Sequence, residues 1–173
     1  MPSRRLLVRG VRLCIALLCL AVLFVMLDFL LDGRPDGMHD SYQFKLTDLP
    51  YDQPVIFRQD NLSILVIRRS EDLVERLHKT TKALQDPQSK NSRQPAAAQN
   101  SLRSLTPEYF VSYAIGTDLG CPIDVDQQRL KEVCGKAFYD FAGRALSGDQ
   151  RFANLTVPEY TLSEDYNHLT VFP

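Results

Sequence analysis

Nineteen consecutive residues, Leu13 to Leu31, carry a single charge, Asp28 near the far end. At about 1.5 Å per residue, a helix of this length spans close to the ~30 Å hydrocarbon core of a bilayer. A cleaved signal peptide would have an apolar region of about 7–15 residues and then a small-x-small site. Phe29-Leu30-Leu31-Asp32 supplies no such site, so residues 13–31 are read as a transmembrane anchor. Arg4, Arg5, Arg9 and Arg12 precede it, which assigns residues 1–12 to the cytoplasm as a basic N-terminus and residues beyond about 35 to the far side. Cys14 and Cys19 lie five apart on this helix and point to different faces, as small packed residues rather than ligands. Ser3-Arg4-Arg5-Leu6-Leu7-Val8-Arg9 is also similar to a twin-arginine export motif, although ordinary positive-inside anchoring accounts for the same residues.

The remaining chain carries 16 basic against 21 acidic side chains, net −5, which argues against nucleic acid as a partner. Gly and Pro in Asp32-Gly33-Arg34-Pro35-Asp36-Gly37 end the helix and open a neck over 32–41. From residue 42 to 173 the pattern is that of one β-rich domain. Tyr42–Leu46, Pro54–Arg58 and Leu62–Arg68 read as strands, the last two joined by Gln59-Asp60-Asn61, with Val55, Phe57, Ile64 and Val66 on an apolar face. Ser70 caps a helix expected over 70–84, with Glu71 and Asp72 in its first turn, Leu73, Leu77 and Leu84 toward the sheet, and Lys79 and Lys82 favouring its other end. His78 on that helix is a surface residue without a companion at metal-ligand spacing. Residues 85–105 are polar and read as a surface loop.

Two short boxes lie between Tyr113 and Arg144. The first reads Gly116-Thr117-Asp118-Leu119-Gly120-Cys121, and the second runs from Glu132 through Val133-Cys134-Gly135-Lys136-Ala137 into Phe138-Tyr139-Asp140-Phe141-Ala142-Gly143-Arg144. The pair resembles the cluster-binding loops of Rieske iron–sulfur proteins, C-x-H-x-G-C and C-x-C-H-G-S, whose [2Fe–2S] cluster takes two Cys on one iron and two His on the other. Outside the boxes, Asp86-Pro87-Gln88-Ser89 and Arg103-Ser104-Leu105-Thr106-Pro107-Glu108-Tyr109, leading into a strand Phe110–Ile115, are similar to segments of the Rieske subunits of bacterial cytochrome bc1 complexes. Ser147–Leu155 stands where the family has a proline loop over the cluster, with Gln150 and Phe152 in place of prolines. Val157–Leu162 and His168–Phe172 resemble the closing strand pair, so the resemblance covers about residues 40–173.

On this alignment the four ligand positions hold Gly116, Asp118, Glu132 and Gly135, and Ala137 replaces the Ser. The two cysteines that are kept, Cys121 and Cys134, are those that in quinol-oxidising relatives do not touch iron but pair as a disulfide bracing the loops. Read without the family, two Cys separated by twelve residues in an oxidising compartment also make a loop-closing bridge. Such a bridge contributes roughly 3 kcal/mol on the chain-entropy model. The substituted positions leave no thiolate or imidazole for a cluster, and no [2Fe–2S] cofactor or resident metal is expected. A hard cation held by Asp118 and Glu132, with Asp124 and Asp126, is the competing reading. Against it, carboxylates at an opened, wet loop tip are ordinarily just solvated. Tyr139, which in the family donates a hydrogen bond at the cluster, here packs or caps a strand.

The resemblance implies an all-β Rieske-like antiparallel sandwich with one short helix, carried on a single transmembrane helix, with degenerate loops over 113–155. It implies a non-catalytic accessory or structural subunit of a respiratory electron-transfer complex in a bacterial inner membrane. The head would be periplasmic, and its partners would be other subunits and membrane lipid. The alternative is a divergent electron-transferring subunit of a quinol–cytochrome c reductase.

Overall fold

The computed structural model describes residues 4–31, 41–81, 83–148 and 151–173. Residues 32–40 of the expected neck, Lys82 at the expected helix end and Gln150 of the covering loop lie outside them. The chain divides into two compact units, Met1–Met38 and His39–Pro173.

In the first unit, α1 (Arg4–Leu31) is the one helix, among the described residues, long and apolar enough to cross a membrane. It begins at Arg4 rather than Leu13, so the basic segment continues the same helix. Its apolar side chains, Leu13 and Phe24 among them, are exposed, which makes it a candidate membrane anchor. Cys14 and Cys19 are free and exposed on it.

The second unit is built from β1 (Tyr42–Lys45), β2 (Pro54–Gln59), β3 (Leu62–Arg68), α2 (Glu71–Lys79), β4 (Tyr109–Tyr113), β5 (Ile123–Asp126), β6 (Arg129–Glu132), β7 (Phe138–Tyr139), β8 (Glu159–Leu162) and β9 (His168–Phe172). Among the described residues these strands form three antiparallel sheets, ordered β1-β9-β8, β2-β3-β4 and β5-β6-β7. The sequence placed Val55 and Phe57 with Val66 and Ile64, and those residues are register partners. β3 is buried on both faces, however, because it is the central strand and Leu65 and Ile67 are covered as fully as Ile64 and Val66. The first two sheets meet through rings such as Phe44 and Phe57, 5.5 Å apart between centroids. One continuous apolar core joins all three sheets and α2.

α2 starts where expected. The Ser70 hydroxyl accepts the Leu73 N–H at 3.2 Å and donates to Asp52, whose carboxylate also takes the Ser70 N–H at 2.8 Å. It ends at Lys79, not Leu84. Both the N–H and the hydroxyl of Thr80 turn back onto the Arg76 carbonyl, and this β-branched residue leaves the helix in extended geometry. Leu84 is buried all the same, as an antiparallel bridge partner of Leu146.

The long polar segment after α2 is tied down rather than loose. The Asp86 carboxylate accepts the N–H groups of Lys90 and Asn91 and the Ser92 hydroxyl, while Asn154 donates to the Asp86 carbonyl. Among the described residues, three arginines are buried: Arg69, Arg103 and Arg144. Arg69 donates to the carbonyls of Leu102 and Pro107. Arg103 donates to the carbonyls of Gly143 at 3.0 Å and Leu155 at 2.6 Å. Desolvation pushes Arg69 and Arg103 down to about 10, which leaves both charged at neutral pH. Arg144 pairs with Asp140 at 2.7 Å and donates to the Leu77 carbonyl, joining the tail of the second box to α2. Asp140 also accepts the N–H groups of Ala142 and Arg144. Asp140→Ala strands the Arg144 charge in the core, and a loss of about 3–5 kcal/mol is expected in denaturant unfolding of the detergent-solubilised chain.

Candidate functional site

The two boxes become two facing loops, the first between β4 and β5 and the second between β6 and β7. The sequence reading missed this third sheet. β5 and β6 form a hairpin closed by Gln127 and Gln128, with Gln127 at φ 59°, and β6 delivers Glu132 to the base of the second loop. A backbone bond from the Gly116 N–H to the Cys121 carbonyl at 2.8 Å closes the first loop on itself, and one from the Val133 N–H to the Pro122 carbonyl at 3.0 Å stitches the second loop to it. The disulfide joins Cys121 to Cys134 with 5.9 Å between Cα atoms.

All four substituted positions come together. Glu132 is 0% exposed, and its side chain crosses into the first loop. There Oε1 accepts the N–H groups of Leu119 and Cys121, each at 2.8 Å, and Oε2 accepts that of Asp118 at 2.9 Å. Asp118 answers in the other direction, its Oδ2 accepting the Lys136 N–H of the second loop at 2.8 Å. Each loop thus lends a carboxylate to the backbone of the other.

The glycines make this possible. A Cβ built at Gly116 would overlap the Glu132 carboxylate, and one at Gly135 would stand 2.8 Å from Asp118 Oδ2 and 3.0 Å from Glu132 Cδ. The expectation of wet, solvated carboxylates therefore fails for Glu132, because the volume released by two missing side chains lets it turn inward. Asp124 and Asp126 do not join it. Asp124 accepts the Val125 N–H, and Asp126 lies 3.5 Å from Arg129 on the hairpin.

Tyr139 caps the site from beneath. Its oxygen accepts the Thr117 N–H at 2.8 Å, and the Thr117 hydroxyl donates to the Ala153 carbonyl at 2.6 Å. The phenol therefore donates to Thr117 Oγ1 at 2.9 Å, linking the first loop to the segment before β8. Burial pushes the Tyr139 phenol up from its ordinary value, so it keeps that proton at neutral pH. Phe152, in the covering segment, donates its N–H to the side chain of Gln85 at 2.9 Å.

No family model matches the chain. The ubiquinol–cytochrome c reductase iron–sulfur subunit of Allochromatium vinosum is 28% identical over 114 residues, covering 59% of this chain and 55% of that protein. The chain thus spans about half the length of that relative. Among solved structures, a chain of a hyperthermophilic respiratory Complex III matches with a TM-score of 0.50 at 15% identity, over 92% of this chain and 96% of that one, a likeness that speaks for the fold alone. Fold and sequence together define a Rieske-like head accompanied by an apolar N-terminal helix. The particular likeness is to the Rieske iron–sulfur subunit of ubiquinol–cytochrome c reductase.

The [2Fe–2S] cluster of that family needs two thiolates and two imidazoles. Gly116 and Gly135 offer no ligand atom, Asp118 and Glu132 offer only hard oxygen, both loop sulfurs are joined to each other, and Glu132 fills the space beside Gly116. The residues present do not fit the group.

Glu132 and Gly116 are sterically complementary, so their substitutions are expected to be strongly non-additive. Glu132→Ala abandons three part-buried N–H groups and is expected to cost about 2–3 kcal/mol. Gly116→Ala forces Cβ into the carboxylate and is expected to cost about 1–3 kcal/mol. Together they should cost less than the sum, by roughly 1 kcal/mol or more in a double-mutant cycle read by denaturant unfolding.

Proposed function

We propose that this chain is a membrane-anchored, Rieske-like accessory or structural subunit of a respiratory electron-transfer complex, without a [2Fe–2S] cluster and without a catalytic role of its own. The observation that carries the reading is the Glu132 carboxylate lodged between the two loops and bonded to three backbone N–H groups of the first. It cross-links the loops through hydrogen bonds, so they are braced without iron. The relationship to a subunit of a respiratory complex supports partnership with other subunits of such an assembly. The apolar α1, with arginines at its start, supports a single-pass inner-membrane protein with a cytoplasmic N-terminus and a periplasmic head. Residues 1–12, 13–31, 32–41 and 42–173 are then basic terminus, anchor, neck and head.

A second reading keeps electron transfer, favoured by the relative's being an iron–sulfur subunit. Iron and acid-labile sulfide analysis of protein purified from its own membranes separates the two. The accessory reading expects neither in stoichiometric amount, and a full complement of both overturns it. Native mass spectrometry in mild detergent should return the chain with partner subunits, and its return alone overturns membership of a complex. Separately, an impermeant reagent applied to intact spheroplasts should modify the head and spare the N-terminus.

The disulfide separates stability from redox chemistry. Cys121→Ser or Cys134→Ser should lower stability by about 2–4 kcal/mol and reduce recovery with partner subunits. A variant that melts and assembles like the parent removes the brace from this account.

A further inference from the structure

The sulfurs of Cys121 and Cys134 and a carboxylate oxygen of Glu132 all lie within 4.8 Å of one another, with Glu132 buried, Cys121 half-buried and Cys134 exposed. In the disulfide the sulfurs have no charge to offer a cation. We propose that reduction of this disulfide opens a mononuclear site for a borderline-soft divalent cation of the zinc class, with Cys121, Cys134 and Glu132 as ligands and water in the fourth position. This is not the ligand set of the [2Fe–2S] family: its two sulfurs are the pair that leaves iron alone there, and only Glu132 stands at a family ligand position.

The geometry and the donor set agree. Zinc-class ions take Cys sulfur at about 2.3 Å and carboxylate oxygen at about 2.0–2.2 Å in a tetrahedron, whose ligand atoms necessarily sit a few ångströms apart. Two thiolates and one carboxylate favour such an ion over Mg²⁺ or Ca²⁺, which want an all-oxygen shell. Glu132 is already oriented by the N–H groups of Asp118, Leu119 and Cys121, so the ligand least able to move is the one fixed in advance. Exposure of Cys134 gives the reductant and the ion their approach, and leaves room for the water.

The steps balance. A dithiol transfers two electrons and two protons to the Cys121–Cys134 bond, itself closing to a disulfide. The two protein thiols then release two protons to water as the M²⁺ ion binds both thiolates and the Glu132 carboxylate. The inference rests on the loop geometry and not on the accessory-subunit reading, so either can fail without the other.

The test uses the full chain in mild detergent, with Cys14 and Cys19 replaced by Ala, under anaerobic conditions and with Co²⁺ as the probe. The reduced protein should bind one equivalent, with thiolate-to-cobalt charge-transfer absorption and the visible bands of a tetrahedral ion, both discharged by Zn²⁺. The oxidised protein should show neither. Cys134→Ser, at an exposed position, should abolish the charge-transfer signal of the pair, and Glu132→Gln should weaken binding by about tenfold or more. Equal Co²⁺ binding by oxidised and reduced protein, or an unchanged spectrum in Cys134→Ser, overturns the site. If Glu132→Gln folds and binds like the parent, Glu132 is not a ligand and the proposal fails in that form. If it does not fold, the oxidised protein and Cys134→Ser decide the question alone.

Discussion

The carboxylate of Glu132 is the contact on which the two loops depend. Three N–H groups of the first loop converge on one point, and a loop that bends this way needs an acceptor there or leaves part-buried donors unsatisfied. A carboxylate meets that demand with short, charge-assisted bonds and belongs to the opposite loop, so satisfying the backbone and closing the site are one event. The disulfide and the returning bond from Asp118 to Lys136 act on the same pair of segments from the rim.

Beneath the loops, the buried arginines do for irregular backbone what a ladder does for a strand. Arg103 gathers carbonyls from the tail of the second box and from the segment before β8, and Arg144 reaches α2. A planar guanidinium offers several donors in fixed directions, so one side chain can satisfy carbonyls from segments that never pair with each other. Gly143, at φ 66°, brings its carbonyl to Arg103 while a Cβ there would strike the Phe110 ring. The Arg-Ser and Asp-Pro segments matched to the family in the sequence are thus the struts of the site: Arg103 holds its tail, and Asp86 and Ser89 hold Asn154.

Much of this was legible in the sequence because local chemistry was explicit. The Leu62–Arg68 strand and the Ser70 cap each have a residue pattern that admits few alternatives, while the His168–Phe172 strand and the Cys121–Cys134 pair were legible through the resemblance to the Rieske family. The β5–β6 hairpin does not. Ile-Asp-Val-Asp and Arg-Leu-Lys-Glu alternate, but Gln127-Gln128 lacks the Gly or Asn that announces a two-residue turn, and the pairing of the strands on either side sets Gln127 at positive φ all the same. Helix α2 stops where Thr80 turns back onto Arg76, and Leu84, which the apolar spacing gave to the helix, bridges instead to Leu146, a partner visible only in three dimensions. The inward turn of Glu132 was hidden because a sequence lists what two glycines lack, not the room they leave.

That room makes substitutions in the loop pair depend on one another. A thiol at position 116 cannot enter while the Glu132 side chain is in place, and removing Glu132 first strands the donors it satisfies. Gly135 faces the same crowding from Asp118 and Glu132, so an imidazole there meets two carboxylates rather than a cavity. A larger side chain at 116 or 135, or the loss of Glu132, therefore each carries its own cost, and only concerted replacement avoids it. The geometry interlocks these positions: the acid fits only beside the glycines, and the glycines admit no larger residue while the acid is there.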